Sequence, residues 1–504
     1  MRERLGKRTA FKRRLLNSSA HVQEEIMLLR QTLLHLPAQV LGPLVQFVSV
    51  LLWTHFLAPD EMGVFALISA AQEFAYVGTL FWFTLYTMRY FDKSAQIGDQ
   101  QTYLNTESGV LLGALAGSLA GILTLPFFIE ARWDASLLAA SLAYGGGRTI
   151  ATHLSDRART AQDTLTYTVL QVTWPVLGLL FGFAFVELFG ATAANVLWGY
   201  AAAQVVALIY AARRMPFGFK PFEISRSIVA IALSYGLPLV IGGLFVWLAN
   251  NGLRFIIEQK AGATAVGLVT VGWGLGLRAA TFSAMLVTAA AFPIAVARAR
   301  EDGLAEGQAQ LIRNGILLLM VLAPASAGLW AISGPLVEKV VAEPFRAMTA
   351  AVMPWAILAG AARNLRIHFG EQIFLLREET KIPLANDVTD GVLTLLGTYL
   401  GLIAFGLQGS VFGAAIGSLA ALLATLLCGA YFHQFTFPLK DLLRISVATL
   451  AMLLVLQSLP IPPTVAGLAL AIVAAASVYA AAIAALYPHW AREVLQKALR
   501  FARA

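Results

Sequence analysis

The sequence is a succession of apolar runs, each long enough to cross a bilayer, joined by short segments that carry most of the charge. A crossing helix needs roughly 20 apolar residues, because the hydrocarbon layer is about 30 Å thick and a helix rises about 1.5 Å per residue. Only 13% of the 504 residues are charged and 58% are hydrophobic, whereas a soluble chain carries about 25% charge. So little charge cannot coat a water-soluble body of this size, and the solvent must be lipid. A cytosolic enzyme, a secreted domain and a disordered protein are thereby excluded. The single cysteine, Cys428, allows neither an internal disulfide nor a thiolate metal site, and the 7 histidines include no His-x-x-x-His pair. No metal or cofactor is expected. The net charge of +8 is read through its distribution along the chain rather than as a nucleic-acid signal.

The apolar runs place fourteen candidate spans near 33–57, 62–88, 107–129, 136–153, 165–187, 193–212, 228–257, 264–297, 311–332, 347–377, 383–406, 409–433, 442–459 and 463–487. The split after the first run rests on Ala58-Pro59-Asp60-Glu61, and another rests on the turn chemistry around Gly190. The fold class is an all-α polytopic membrane protein. Cytoplasmic loops collect Lys and Arg, which tests the count independently. With the amino terminus inside, inner segments hold about 27 of the 36 basic residues, and outer loops hold only Arg132, Lys260, Lys339 and Arg346. Both termini are expected in the cytoplasm. Met1 to Leu16 carries seven basic residues with no signal-peptide cleavage pattern, so residues 1–32 read as a basic arm that lies on anionic headgroups or fixes topology. Residues 213–227, with Pro216, Gly218 and Pro221, read as a cytoplasmic linker between two halves. A weak echo between Pro43-Leu44-Val45 with Trp53 and Pro238-Leu239-Val240 with Trp247 agrees with that division.

Charges inside spans cost about 2.5–3.5 kcal/mol each on insertion scales, so they are expected to face protein or a wet cavity. Five arginines fall inside spans: Arg148, Arg254, Arg278, Arg363 and Arg366. Arg363 and Arg366, three apart, share a helix face. Acids at similar depth are Glu73 and, nearer a helix end, Glu371. A surplus of arginine favours an anion, and the guanidinium fork suits phosphate oxygens. The five arginines are therefore the expected cavity lining, with Glu73 and Glu371 as candidates for coupling or gating. Each has a plainer alternative: an Arg254–Glu258 pair one turn apart, snorkelling of Arg148, and interhelix hydrogen bonds for the others. His35, His55, His153 and His368 are expected to be polar packing residues. Gly272, Gly274 and Gly276 are expected to serve close helix packing. Neither a catalytic constellation nor a Walker motif is present.

Leu57-Ala58-Pro59-Asp60-Glu61-Met62-Gly63-Val64-Phe65 resembles the "L-G-P-x-E-x-G-x-Y" segment of polysaccharide flippases. These are the O-antigen and exopolysaccharide exporters of the multidrug/oligosaccharidyl-lipid/polysaccharide exporter superfamily. Asn251-Gly252-Leu253-Arg254-Phe255-Ile256-Ile257 with Ala265-Val266-Gly267-Leu268 is similar to their "D-R-F-x-(I/L)-G … V-G-x-Y" pattern, and Ala291-Phe292-Pro293 follows in order. Leu253 replaces the usual Asp, and Leu268-Val269 the usual aliphatic-tyrosine step. The resemblance implies two six-helix lobes, 33–212 and 228–440, around a central cavity, with accessory helices over 441–487 and a basic tail over 488–504. It further implies a non-enzymatic flippase in the bacterial inner membrane, moving an undecaprenyl-diphosphate-linked repeat unit to the periplasmic leaflet by alternating access. A polysaccharide polymerase and a chain-length regulator are candidate partners. Two alternatives stand beside it: a cation-coupled multidrug antiporter of the same superfamily, and a non-transporting subunit of polysaccharide assembly.

Overall fold

A computed structural model of the protein describes residues 41–42, 44–96, 100–459 and 464–489. The basic arm, the first eight positions of the span at 33–57, which include His35, together with Pro43, the loop at 460–463 and most of the basic tail, lie outside the described residues. All regular structure among the described residues is helical. The helices are α1 (Leu44–Thr54), α2 (Pro59–Thr79), α3 (Phe81–Gln96), α4 (Gln100–Leu123), α5 (Ala135–Thr160), α6 (Thr164–Phe189) and α7 (Ala193–Arg214). There follow α8 (Arg226–Glu301), α9 (Leu304–Val340), α10 (Glu343–Leu365), α11 (Gln372–Leu376), α12 (Lys381–His433), α13 (Leu439–Ser458) and α14 (Val465–Leu486).

Turn chemistry sets the boundaries. Pro59 occupies the first turn of α2, where its missing N–H costs nothing. Gly190 ends α6 at φ 104°, and Thr192 then caps α7 by accepting from Asn195 N. Asp134 and Asp163 cap α5 and α6 in the same way. Two elements are hairpins in which helical hydrogen bonding runs almost unbroken through a reversal. The 76-residue α8 turns at Gly262 (φ 75°, ψ 175°), and the 53-residue α12 turns at Gly406 (φ 67°, ψ −154°). Both are conformations essentially restricted to glycine. The arms of α12 then lie backbone against backbone through Gly397, Gly401, Gly409 and Gly413.

Two runs that hydropathy reads as continuous are broken. The run at 62–88 is bent by 56° between α2 and α3. There the Thr79 carbonyl accepts from the Trp82 indole N–H at 3.0 Å, a side chain satisfying a carbonyl at the bend. The run at 347–377 loses its α-helical register at a π-helical turn, Arg366–Gly370, and re-forms as the short α11. By length and composition, eight described helices are able to cross a membrane, or nine with the bent α2–α3 pair. The fourteen spans expected from hydropathy require in addition that α8 and α12 each count twice and that α1, α5 and α13 cross.

The largest apolar core joins both halves of the chain. Trp53, Leu67 and Ile68 from the first half meet Val266, Trp273, Phe345 and Val352 from the second. α13 and α14 stand apart from it, packing on each other and on α9 through Ile332, Met452, Leu456 and Leu468. The segment after α7 lies along α4: Ser108 donates to the Gly218 carbonyl at 3.1 Å, and Ser225 N donates to Thr106 at 3.0 Å.

Candidate functional site

Between the two halves lies a cavity of about 700 Å³. One wall comes from α1, α2, α5, α6 and α7, and the other from both arms of α8. Aromatic side chains dominate the lining, among them Trp53, Tyr144, Trp174, Tyr200, Trp247 and Trp273. Their polar edges are largely engaged: Trp247 donates to the Ala70 carbonyl at 3.0 Å, Trp273 to the Asn250 carbonyl at 2.9 Å, and Trp53 to the Tyr200 hydroxyl at 3.3 Å. Such tethering holds the Trp53, Trp247 and Trp273 rings in the wall, while the buried Trp174 Nε1 has no partner among the described residues.

The charged lining residues are Arg254, Arg278 and Glu73. Among the described residues, no hydrogen bond or ion pair engages the Arg278 guanidinium, which lies over Gly274 one turn earlier on α8. Arg254 donates to the Asn251 side-chain oxygen at 2.8 Å and to the Ala66 carbonyl at 3.4 Å, while its buried Nε has no partner. Asn251 in turn donates to Glu73 at 3.2 Å. An amide is thus interposed between the acid and Arg254, and neither cation is neutralised by direct contact with a carboxylate. The cavity keeps a positive surplus at fixed positions.

Arg148 is not part of the lining. Its guanidinium stacks 3.8 Å from the ring centre of Trp174, a lining residue, and among the described residues no carboxylate pairs with it. The Arg254–Glu258 pair does not form, because Glu258 reaches across to accept from Glu130 N at 2.7 Å.

Arg363 and Arg366 correct the sequence expectation. They share a helix face as their spacing required, but neither lines the cavity: the face meets α12 and, at Arg363, the outer side of the α8 wall. Arg363 is held by Asp390 at 3.3 Å, by Thr394 and by the Ala249 and Asn250 oxygens. Arg366 is held by Glu371, by Asp387 at 3.0 Å and by Asp390 at 3.4 Å. Glu371 is accordingly a partner of Arg366 in this cluster, apart from the cavity lining. Through Asn250, whose side chain and carbonyl tie Arg363 to Trp273, the cluster braces the cavity wall from behind. Sequence reading passed over Asp387 and Asp390, although two acids three apart in an apolar span mirror the arginine pair three apart in another. It also passed over the buried Glu107, which binds Arg157 and His153.

At one end of the cavity the two family-like segments meet. A side chain on Gly63 would collide with the Ala263 carbonyl, and one on Gly267 with the Pro59 carbonyl. Glu61 of the same segment accepts from Ala193 N at 2.6 Å, anchoring α7 to the start of α2. Nearby, Ala342 N donates to Thr54, and the His55 ring contacts the Val340 carbonyl. Glycine at 63 and 267 therefore permits a backbone-tight seal between the halves. Gly272 and Gly276 lie against α10, and Gly274 lies beneath Arg278.

A family described as "Polysaccharide biosynthesis protein" matches residues 52–350. Among curated proteins, none matches at a significant level. The fold is similar to a structure titled as the lipid II flippase MurJ in an inward closed conformation, at 13% identity and a TM-score of 0.73, covering 92% of this chain and 99% of that one. It is also similar to an inward-facing multidrug resistance MATE family transporter of the MOP superfamily (14% identity, TM-score 0.56, 82% and 98% covered). A third similar structure is a MOP superfamily transporter from Pyrococcus furiosus (16% identity, TM-score 0.53, 80% and 93% covered).

Proposed function

Given that this multi-pass membrane chain belongs to the polysaccharide biosynthesis protein family, we propose that it is a flippase for a lipid-linked oligosaccharide carrying an anionic diphosphate. The observation that carries this reading is the pair of guanidiniums, Arg254 and Arg278, set in the wall of a central cavity without a carboxylate on either. Guanidinium forks pair with phosphate oxygens in two parallel hydrogen bonds. The aromatic walls offer faces on which sugar rings can slide, with no lipid tail needed inside. The similar fold of a structure titled as a lipid II flippase supports the reading.

In this account the repeat unit, in the undecaprenyl-diphosphate class, enters from the cytoplasmic leaflet and leaves to the periplasmic leaflet of a bacterial inner membrane. Both termini are cytoplasmic, the helices up to 212 and those from 228 to 440 form the moving lobes, and residues 213–227 link them. Parting Gly63 from Gly267 opens the cavity toward the side that the charge bias assigns to the outside. An outward-moving anion gains about 2.3 kcal/mol per charge per 100 mV of inside-negative potential. A polymerase and a chain-length regulator would consume the product.

Glu73, exposed within the cavity, favours a second reading, a cation-coupled multidrug antiporter. Two cations against one acid weigh against a positively charged drug. Replacing Arg254, Arg278 and Glu73 singly by Ala in cells scored for surface glycan and for drug resistance separates the two. The flippase reading expects glycan loss for both arginine variants, with drug resistance unchanged. Intact glycan with altered resistance would overturn it.

A further inference from the structure

We propose that His153 and Glu107 form a buried proton-binding site that exchanges protons with the central cavity through Tyr76 and Thr84. The site goes beyond the transport reading, which uses none of the side chains beyond Tyr76. His153, Glu107 and Thr84 are fully buried, yet they form one unbroken hydrogen-bonded line with Tyr76, which borders the cavity. The Tyr76 hydroxyl donates to Thr84 Oγ1 at 3.2 Å, Thr84 Oγ1 meets His153 Nδ1 at 2.9 Å, and His153 Nε2 meets Glu107 Oε1 at 2.9 Å.

The chemistry of the groups fixes the direction. An ionised carboxylate only accepts, so Nε2 carries the ring proton and Nδ1 is left as an acceptor for the Thr84 hydroxyl. The Thr84 oxygen then has a lone pair free for Tyr76. With the Thr84 hydroxyl turned to Nδ1 at 2.9 Å rather than to its other acceptor, the Leu80 carbonyl at 3.3 Å, every donor along the line points away from the cavity and toward Glu107, the arrangement required for a proton to pass by successive hops. One proton enters at Tyr76, each hydroxyl passes on its own proton as it receives another, and one proton is gained at Nδ1. The product is an imidazolium facing Glu107, and its charge rises by one with no bond other than O–H and N–H broken or formed.

The surroundings are suited to holding that charge. Against His153 lie Thr84 and the ring of Phe83 from α3 and Glu107 from α4, with Tyr76 of α2 reaching Thr84 and Tyr103 of α4 donating to Glu107. Its own helix α5 adds Arg157, which binds Glu107, and Asp156, close enough to act on it electrostatically, while Arg148 lies one turn back. From α6, Tyr167 faces Asp156 and Arg159, and from α7 the uncharged Gln204 packs on α5 at Gly147. Arg157 also donates to the Pro216 carbonyl at 2.8 Å. The carboxylate that would share the new proton's charge therefore also holds the guanidinium that binds the segment joining the two halves. The break between α2 and α3 falls between Tyr76 and Thr84, so a change in the angle there would make or part the line.

The test is nitrogen-15 histidine NMR of the full chain in phosphatidylethanolamine–phosphatidylglycerol vesicles, with the His153 signal assigned by its loss in His153→Gln. On acidification from about pH 8 to about pH 5, His153 is expected to pass from the Nε2–H tautomer to the doubly protonated ring. Thr84→Val, which removes the relaying hydroxyl and keeps the shape, is expected to slow that exchange by roughly an order of magnitude. Thr84→Ser is expected to restore it. A ring that stays neutral throughout, or Thr84→Val exchanging at the wild-type rate, would overturn the proposal. No transported substrate enters this measurement, so its failure leaves the flippase reading standing, and loss of that reading leaves the proton site standing.

Discussion

Arg278 and Arg363 are both arginines near the middle of apolar spans, yet their surroundings oppose each other. Arg363 is locked to Asp390 and to three oxygens, whereas Arg278 has a cavity before it and no acid in contact. Removing one partner of a buried ion pair costs about 3–5 kcal/mol where the other charge is left uncompensated. The cost is less where, as for Asp390, a second guanidinium (Arg366, 3.4 Å) remains, although the oxygens of Thr394, Ala249 and Asn250 also lose their donor. Arg363→Ala is therefore expected to lower the thermal midpoint of the purified protein sharply. Arg278→Ala is expected to leave it nearly unchanged while abolishing transport, because no partner is stranded. Fluorescence-detected melting of both variants checks the contrast; equal destabilisation would contradict it. The sequence made the depth of each arginine legible, and the shared face of Arg363 and Arg366 as well. It did not reveal which neighbour that face would meet, because the answering acids, Asp387 and Asp390, lie on a helix whose orientation only packing fixes.

At the scale of elements, the helical segments were legible because lipid leaves a spanning backbone few alternatives. The breaks were legible only where they had turn chemistry. Pro59 and Gly190 marked two of them correctly. The bend between α2 and α3 falls within an unbroken apolar run, where Trp82 supplies the compensating hydrogen bond from a side chain. The reversal at Gly262 falls in the expected gap between two spans and that at Gly406 on the last residue of the span at 383–406, and both require a positive φ. Gly262→Ala and Gly406→Ala are each expected to cost about 1–3 kcal/mol, read as a lower melting temperature with the fold retained. Ala at Gly334, where an added Cβ meets nothing within 4 Å, serves as the control and is expected to be close to neutral.

For the whole molecule, the account depends on the halves parting at one end and closing at the other. The Gly63–Gly267 contact explains why glycine sits at these places in the two segments that resemble the flippase pattern: carbonyls occupy the space a side chain would need. Overpacking a tight contact costs typically about 1–3 kcal/mol, here charged to the sealed state alone. Gly267→Ala is thus expected to shift the population toward the unsealed form. In a Cys428→Ala background with Ser69→Cys as a cavity reporter, an impermeant thiol reagent added from outside should label Gly267→Ala faster than its parent. Equal labelling would mean that this contact is not the seal.

The most direct test of the cationic cavity is the affinity of the purified protein for a polyprenyl-diphosphate oligosaccharide, compared with Arg254→Ala/Arg278→Ala. Hydrogen bonds to charged groups contribute about 1.5–3 kcal/mol each, so losing both guanidiniums is expected to weaken binding by about 100-fold or more. Arg363→Lys, outside the cavity, is expected to bind as the wild type does. If the double variant, shown to be folded by its melting curve, binds the diphosphate lipid as tightly as the parent, the cavity arginines do not hold the headgroup and the account is wrong.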